Sequence, residues 1–122
     1  RAMGLSLVAD TGAMWEEMTG LPVPLGCIVV NRNIDTATAG KVERAIRRSI
    51  EYARISPRES VDFIRQHARE TEEDVMREHI KLYVNDFSLS LGKEGRKAIE
   101  KLFAVAAEKG VTGTLPDRIF LL

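Results

Sequence analysis

A chain of 122 residues is one ordinary domain or a piece of one, long enough to bury roughly two-thirds of its unfolded surface if it is compact. Its 18 basic and 18 acidic side chains cancel to a formal charge of zero, which leaves no global field to draw it to nucleic acid or to an anionic membrane surface. The single cysteine, Cys27, cannot form an internal disulfide, and no apolar stretch reaches the length of a membrane span, so the chain reads as a soluble, cytoplasmic protein that binds neither nucleic acid nor membrane.

The chain begins with "RAMGLSLVAD", which lacks the long apolar core and small-residue cleavage pattern of a targeting peptide and reads as a start in mid-structure. Within it "LSLVA", Leu5 to Ala9, is a short apolar run and a candidate strand. Asp10 and Thr11 can accept backbone N–H bonds at the start of a short helix, "GAMWEEMT", which Gly20 would end. "GCIVVN", Gly26 to Asn31, is nearly continuous in its apolar character, and predicts a second strand buried on both faces. Pro22 and Pro24 make the approach to that strand rigid, because each proline fixes φ.

From Asp35 onward the helical period takes over. Val42, Ala45, Ile46, Ile50 and Ala53 lie on one stripe, which should face a core. "SPRE", Ser56 to Glu59, has the form of a capping box with Pro57 at the first helical position, followed by Val61, Ile64 and Ala68. "TEED", Thr71 to Asp74, predicts a further helix start with a hydroxyl cap and carboxylates at the positive end of the dipole. That helix carries Val75, His79 and Leu82 on one line, with Met76, Ile80 and Tyr83 beside it. A last helix runs through Ala98, Ile99, Leu102, Phe103 and Ala106 to a stop at Gly110. Two strands of about five residues do not make a stable sheet alone. Either the missing neighbours belong to a longer chain, the favoured biological situation, or a second copy pairs with the open strand edges and an isolated fragment forms a homodimer.

The residues that could carry chemistry read mostly as structural. His67 and His79 are separated by helix-start carboxylates, with neither an H-E-x-x-H nor a Glu-x-x-His arrangement, so no metal site is assigned. His79 reads as a half-buried core residue and His67 as a flank residue near Phe63. Cys27 sits within an apolar strand with no base nearby in sequence, and reads as inert. "LGKEGRK" lacks the spacing of a Walker loop and reads as a helix start. Lys41, Arg44 and Arg48 share one side of their helix without interleaved aromatic residues, which is the pattern of a solvated face. Met14 and Trp15 are either a packing plug, the favoured reading, or part of a ligand wall.

The order "LVADTGAMWEEMTGLPVPLGCIVVNR", "RRSIEYA", "QHARE" and "HIKLYVNDFSLSLGKEGRKAIEKLF" resembles the C-terminal half of the 1,4-dihydroxy-6-naphthoate synthase family of the futalosine route to menaquinone, from about Leu5 to Lys109. "TGLPVPLG" and "LYVNDFSLSLG" are its most specific parts. The related chorismate dehydratase resembles the chain in the D-x-G-x-x-W-x-x-x-T-G-L-P portion alone. The resemblance implies an α/β architecture: the C-terminal portion of a two-lobed fold like the type 2 periplasmic binding proteins, mostly helical here with about two short strands. Residues 1–25 would then end the second lobe and form the crossover, and residues 26–122 would supply a strand and the helices that return to the first lobe.

By the same resemblance the parent is a carbon–carbon lyase that converts cyclic dehypoxanthinyl futalosine to 1,4-dihydroxy-6-naphthoate, with no metal or organic cofactor. Its proposed base, a histidine in an I-H-E motif, lies ahead of the matched segment, so no catalytic residue is assigned to this chain and the fragment alone is expected to be inactive. Pro24, Leu25 and Gly26, where the chain would re-enter at the mouth of a cleft, are the candidate substrate-binding residues. A solute-binding protein of the same fold and a helical protein-interaction module are the other classes of function open to such a sequence.

Overall fold

In the computed structural model residues 4–68 and 72–120 are described, and among them every regular element is helical. Helix α1 is Thr11–Thr19, α2 is Thr36–Ile55, a 3-10 turn is Pro57–Ser60, α3 is Val61–His67, α4 is Glu73–Tyr83, α5 is Asp86–Leu89 and α6 is Gly92–Glu108. The chain divides into two compact units, with breaks between Leu25 and Gly26, between Gly92 and Lys93, and between Leu115 and Pro116. Unit 1 holds α1 and nearly all of α6; unit 2 holds the elements from α2 to α5.

Local chemistry explains most helix ends. Asp10 caps α1, its Oδ1 accepting from the backbone N–H groups of Gly12 at 2.9 Å and Ala13 at 3.1 Å. Gly20 ends α1 at φ +67°, a left-handed angle that only glycine adopts without steric cost. Asp35 Oδ1 accepts from Thr38 N at 2.9 Å and opens α2. The end of α6 is closed by two bonds that pair otherwise orphaned carbonyls, Val111 N to Ala106 O at 2.8 Å and Gly110 N to Ala107 O at 3.0 Å. Asn85 starts the short α5, accepting from Phe87 N at 3.0 Å while its own N–H donates to Ser88 Oγ at 3.2 Å.

Several sequence expectations are corrected. Neither Leu5–Ala9 nor Gly26–Asn31 forms a strand, so the α/β reading with two strands does not hold among the described residues. A strand needs the N–H and C=O groups of a neighbour, and among the described residues no ladder of backbone bonds reaches either segment. Their side chains are accordingly open to solvent: Val8 is 97% exposed, Ile28 77% and Val29 81%. Cys27, expected inside a buried strand, is an exposed free thiol. "SPRE" forms a 3-10 turn without a side-chain cap from Ser56. The Glu59 carboxylate, which a capping box would turn back toward Ser56, accepts the Tyr52 hydroxyl instead. The Thr71 cap expected for α4 lies outside the described residues, and Glu72 occupies the cap position with no side-chain bond.

Small residues dominate what is buried. In unit 1 these are Gly95, Ala98 and Ile99 of α6. Unit 2 buries Ala39 and Gly40 of α2 and Met76 of α4. Within unit 2, α2 packs against α5 and the 3-10 turn, which in turn packs against α3. The stripe expected to face a core is only partly covered: Ile46 and Ile50 are half-buried, whereas Val42, Ala45 and Ala53 are exposed.

Candidate functional site

A shallow concave surface of unit 1 lies along α1. Thr11, Met14, Trp15, Glu17 and Met18 line a space of about 450 Å³. The spacing of Thr11, Met14, Trp15 and Met18 is i, i+3, i+4 and i+7, which puts the four on one helix face. The Asp10 cap and the Gly20 stop frame this face at its two ends. Thr19 steadies the last turn, its hydroxyl donating to Trp15 O at 2.8 Å and accepting from Leu21 N at 3.2 Å.

Two methionines and an indole make the wall mostly apolar and polarizable, suited to a flat ring. Trp15 Nε1 is buried without a hydrogen-bond partner, a donor for which an acceptor on a ligand would be a favourable partner. Glu17 adds a carboxylate to the lining. No histidine, cysteine or serine lines this space, and its polar groups are the Glu17 carboxylate and the Thr11 hydroxyl. Reading Met14 and Trp15 as a ligand wall left out Thr11 and Met18, although the helical period runs through both.

Pro24 is half-buried, Leu25 is 57% exposed and Gly26 is exposed. Leu25 is the last residue of the first segment of unit 1 and Gly26 the first of unit 2. A β-carbon added at Gly26 would meet nothing within 4 Å, and its φ lies outside the left-handed region.

The histidines are not brought to a common site. His67 is exposed, its Nδ1 lying 2.8 Å from Phe63 O and its ring stacked on Phe63 with centroids 4.3 Å apart. His79, expected to be half-buried, is exposed and tilted against Tyr83 at 5.0 Å. The expected line of Val75, His79 and Leu82 faces solvent because the helix turns Met76 inward in its place. No group of three or more potential metal-ligating side chains occurs among the described residues.

The most organised charge lies in unit 2, where Glu73 takes guanidinium bonds from Arg77 of its own helix and, at 3.3 Å, from Arg65 of α3. The bond from Arg77 does most to hold the Glu73 carboxyl below the ordinary carboxylate range, and the charges of Arg65 and Arg58 add to it. The Tyr52 phenol is pushed up because its hydroxyl donates to the Glu59 carboxylate. Asp35 is pulled down by its bonds from Thr38. These groups lie at helix ends and joints, and none of them lines the α1 concavity.

Among the described residues no helix is long and apolar enough to cross a membrane. The family model for menaquinone biosynthesis matches residues 1–108. A protein of Thermus thermophilus named 1,4-dihydroxy-6-naphthoate synthase is 42% identical over 118 residues, covering 97% of this chain and 43% of the relative. A Streptomyces coelicolor protein of the same name is 38% identical over 117 residues, covering 95% of the chain and 42% of that relative. The chain therefore spans less than half the length of the curated relatives it matches.

Proposed function

Because this chain belongs to the menaquinone biosynthesis family, we propose that it is the C-terminal part of a cytoplasmic lyase that converts cyclic dehypoxanthinyl futalosine to 1,4-dihydroxy-6-naphthoate. The observation that carries this reading is the 42% identity, over 97% of the chain, to a relative bearing the synthase name. The wall of α1 supports it in kind: Met14, Trp15 and Met18 offer an apolar face matched to a fused ring, and the unpartnered indole N–H suits one of the product's oxygen atoms. Glu17 and Thr11 would lie at the polar margin of the ring.

Pro24, Leu25 and Gly26 are proposed to contact the substrate in the longer parent. The chain's own share of the chemistry is binding and orientation, since the histidine that the resemblance implies as the base lies ahead of the matched segment. Incubation of the 122-residue chain with the futalosine substrate should leave the naphthoate chromophore undeveloped. A chimera in which this sequence replaces the matched 118 residues of the Thermus relative should develop it. A folded chimera without turnover would overturn the assignment, and turnover by this chain alone would show that the active site is not where the proposal puts it.

A further inference from the structure

Charge is unevenly divided between α2 and α4, the two longest helices of unit 2. Helix α2 carries five basic and two acidic side chains, and Lys41, Arg44 and Arg48, at i, i+3 and i+7, form an exposed row along it. None of the three makes an ion pair among the described residues. Next to this row Val42 and Tyr52 are 50% and 55% exposed. Helix α4 presents the opposite sign. Glu72 at its cap, Asp74 and Glu78 are exposed and border the solvent-facing line of Val75, His79 and Leu82, in which Val75 is 46% and Leu82 56% exposed. Glu72 and Asp74 make no ion pair among the described residues, and Lys81 on the same side is held by Glu78 at 2.6 Å. Within one copy α2 packs against α5 and the 3-10 turn, and both strips stay open to solvent.

From this complementarity we propose that the acid-bordered strip of α4 docks on the basic-bordered strip of α2 of a second copy, and that a two-fold pair makes the contact twice. An apolar line with a border of one sign pairs with a line bordered by the other, the apolar side chains supplying area and the charges supplying partner choice. Here Val75 and Leu82 would meet Val42 and Tyr52, with Glu72, Asp74 and Glu78 beside Lys41, Arg44 and Arg48. An acidic partner of another kind would satisfy α2 and leave α4 uncovered, and a basic one the reverse. A second copy satisfies both. Its formal charge of zero also means that two copies do not repel each other as wholes. One such helix pair is small against the about 800 Å² per partner of a standard interface, and the two-fold doubles it, giving a weak association that salt screens. This inference rests on the exposure and charge of unit 2, not on the chemistry proposed above.

Sedimentation of the 122-residue chain should show a dimer that forms with rising concentration and weakens about tenfold between about 0.05 M and about 0.5 M salt. Charge reversal then locates the contact. The pair Arg44→Glu with Arg48→Glu, and separately the pair Asp74→Lys with Glu78→Lys, should each raise the dimer dissociation constant about tenfold or more, with the helical circular dichroism unchanged because all four positions are exposed. Mixed in equal amounts, the two variants should associate about as well as the parent, since each then offers the other two strips of opposite border. A chain that stays monomeric at every concentration would overturn the proposal, and so would a dimer that neither reversal weakens, which would place the contact elsewhere. Failure of the mixture to associate where the parent does would overturn it too. A chimera with the Thermus relative that stays monomeric where this chain dimerises would give the strips to the remainder of the parent and overturn the second copy, whether or not that chimera turns over the futalosine substrate.

Discussion

At Asp10 one carboxylate oxygen takes two of the amide protons that the first turn of α1 cannot pair internally. Asp10→Ala should therefore cost about 1 kcal/mol of helix stability and Asp10→Asn much less, as read by amide exchange at Gly12 and Ala13. Asp35 plays the same part for α2, and here the sign of its pH dependence follows. Its folded-state pKa lies below the ordinary 3.8 because Thr38 donates to the charged form. The contribution is complete above the unfolded value and is lost as pH falls through the folded one. The start of α2 should fray in acid below the ordinary aspartate range, and Asp35→Asn should flatten that dependence in amide exchange at Thr38. Gly26 offers a contrast, since open space and an ordinary φ leave room for a larger side chain. Gly26→Val should change the stability of the 122-residue chain by less than about 0.5 kcal/mol while raising the KM of the chimera about tenfold, equivalent to about 1.4 kcal/mol of binding. An unchanged KM would remove Gly26 from the substrate contacts.

Helix ends and joints, rather than propensity alone, set the elements. Gly20 at φ +67° ends α1, and Gly20→Ala should destabilise this end by about 1 kcal/mol through steric strain in the left-handed region, detected as faster exchange at the Gly20 amide that bonds Glu16 O. Between α3 and α4 the joint is electrostatic, with Glu73 held by Arg77 and Arg65. Glu73→Gln should weaken the ion pair that ties α3 to α4, and the difference from the parent should shrink as salt rises, since these side chains are solvated and screened. The 3-10 turn from Pro57 shows the competition between local and slightly longer contacts. Tyr52, seven residues ahead of Glu59 and on the preceding helix, captures the carboxylate that the capping pattern would have used.

For the molecule as a whole the deficit is burial. Among the described residues the buried apolar side chains are Ala39, Met76, Ala98 and Ile99, of which two are alanines that bring little transfer free energy. The 122-residue chain should accordingly bind an apolar dye strongly and unfold over a broad temperature range, with a calorimetric enthalpy below the roughly 0.7 kcal/mol per residue of a well-packed protein near 60 °C. A sharp transition with the full enthalpy and no dye binding would show that the chain completes a core by itself.

What acts within one helical turn is legible from the residues alone. Asp10, Gly20, Asp35 and Gly110 were legible as starts and stops because each acts on backbone groups two to five residues away. The family was legible too, from "TGLPVPLG" and "LYVNDFSLSLG", and the matches to residues 1–108 and to two synthases agree with it. The Asn85 start of α5 went unread although Asn followed three residues later by Ser carried a capping signal. Of the α1 concavity, Met14 and Trp15 were legible as a possible wall, and the helical spacing would have added Thr11 and Met18. That "LSLVA" and "GCIVVN" are open chain, that His79 turns to solvent and that the stripe of α2 is half covered became visible in the three-dimensional arrangement. Apolar composition makes a segment ready to be buried, but burial and strand pairing require atoms from elsewhere in sequence. Among the described residues none supplies them to Ile28 and Val29, which stay 77% and 81% exposed.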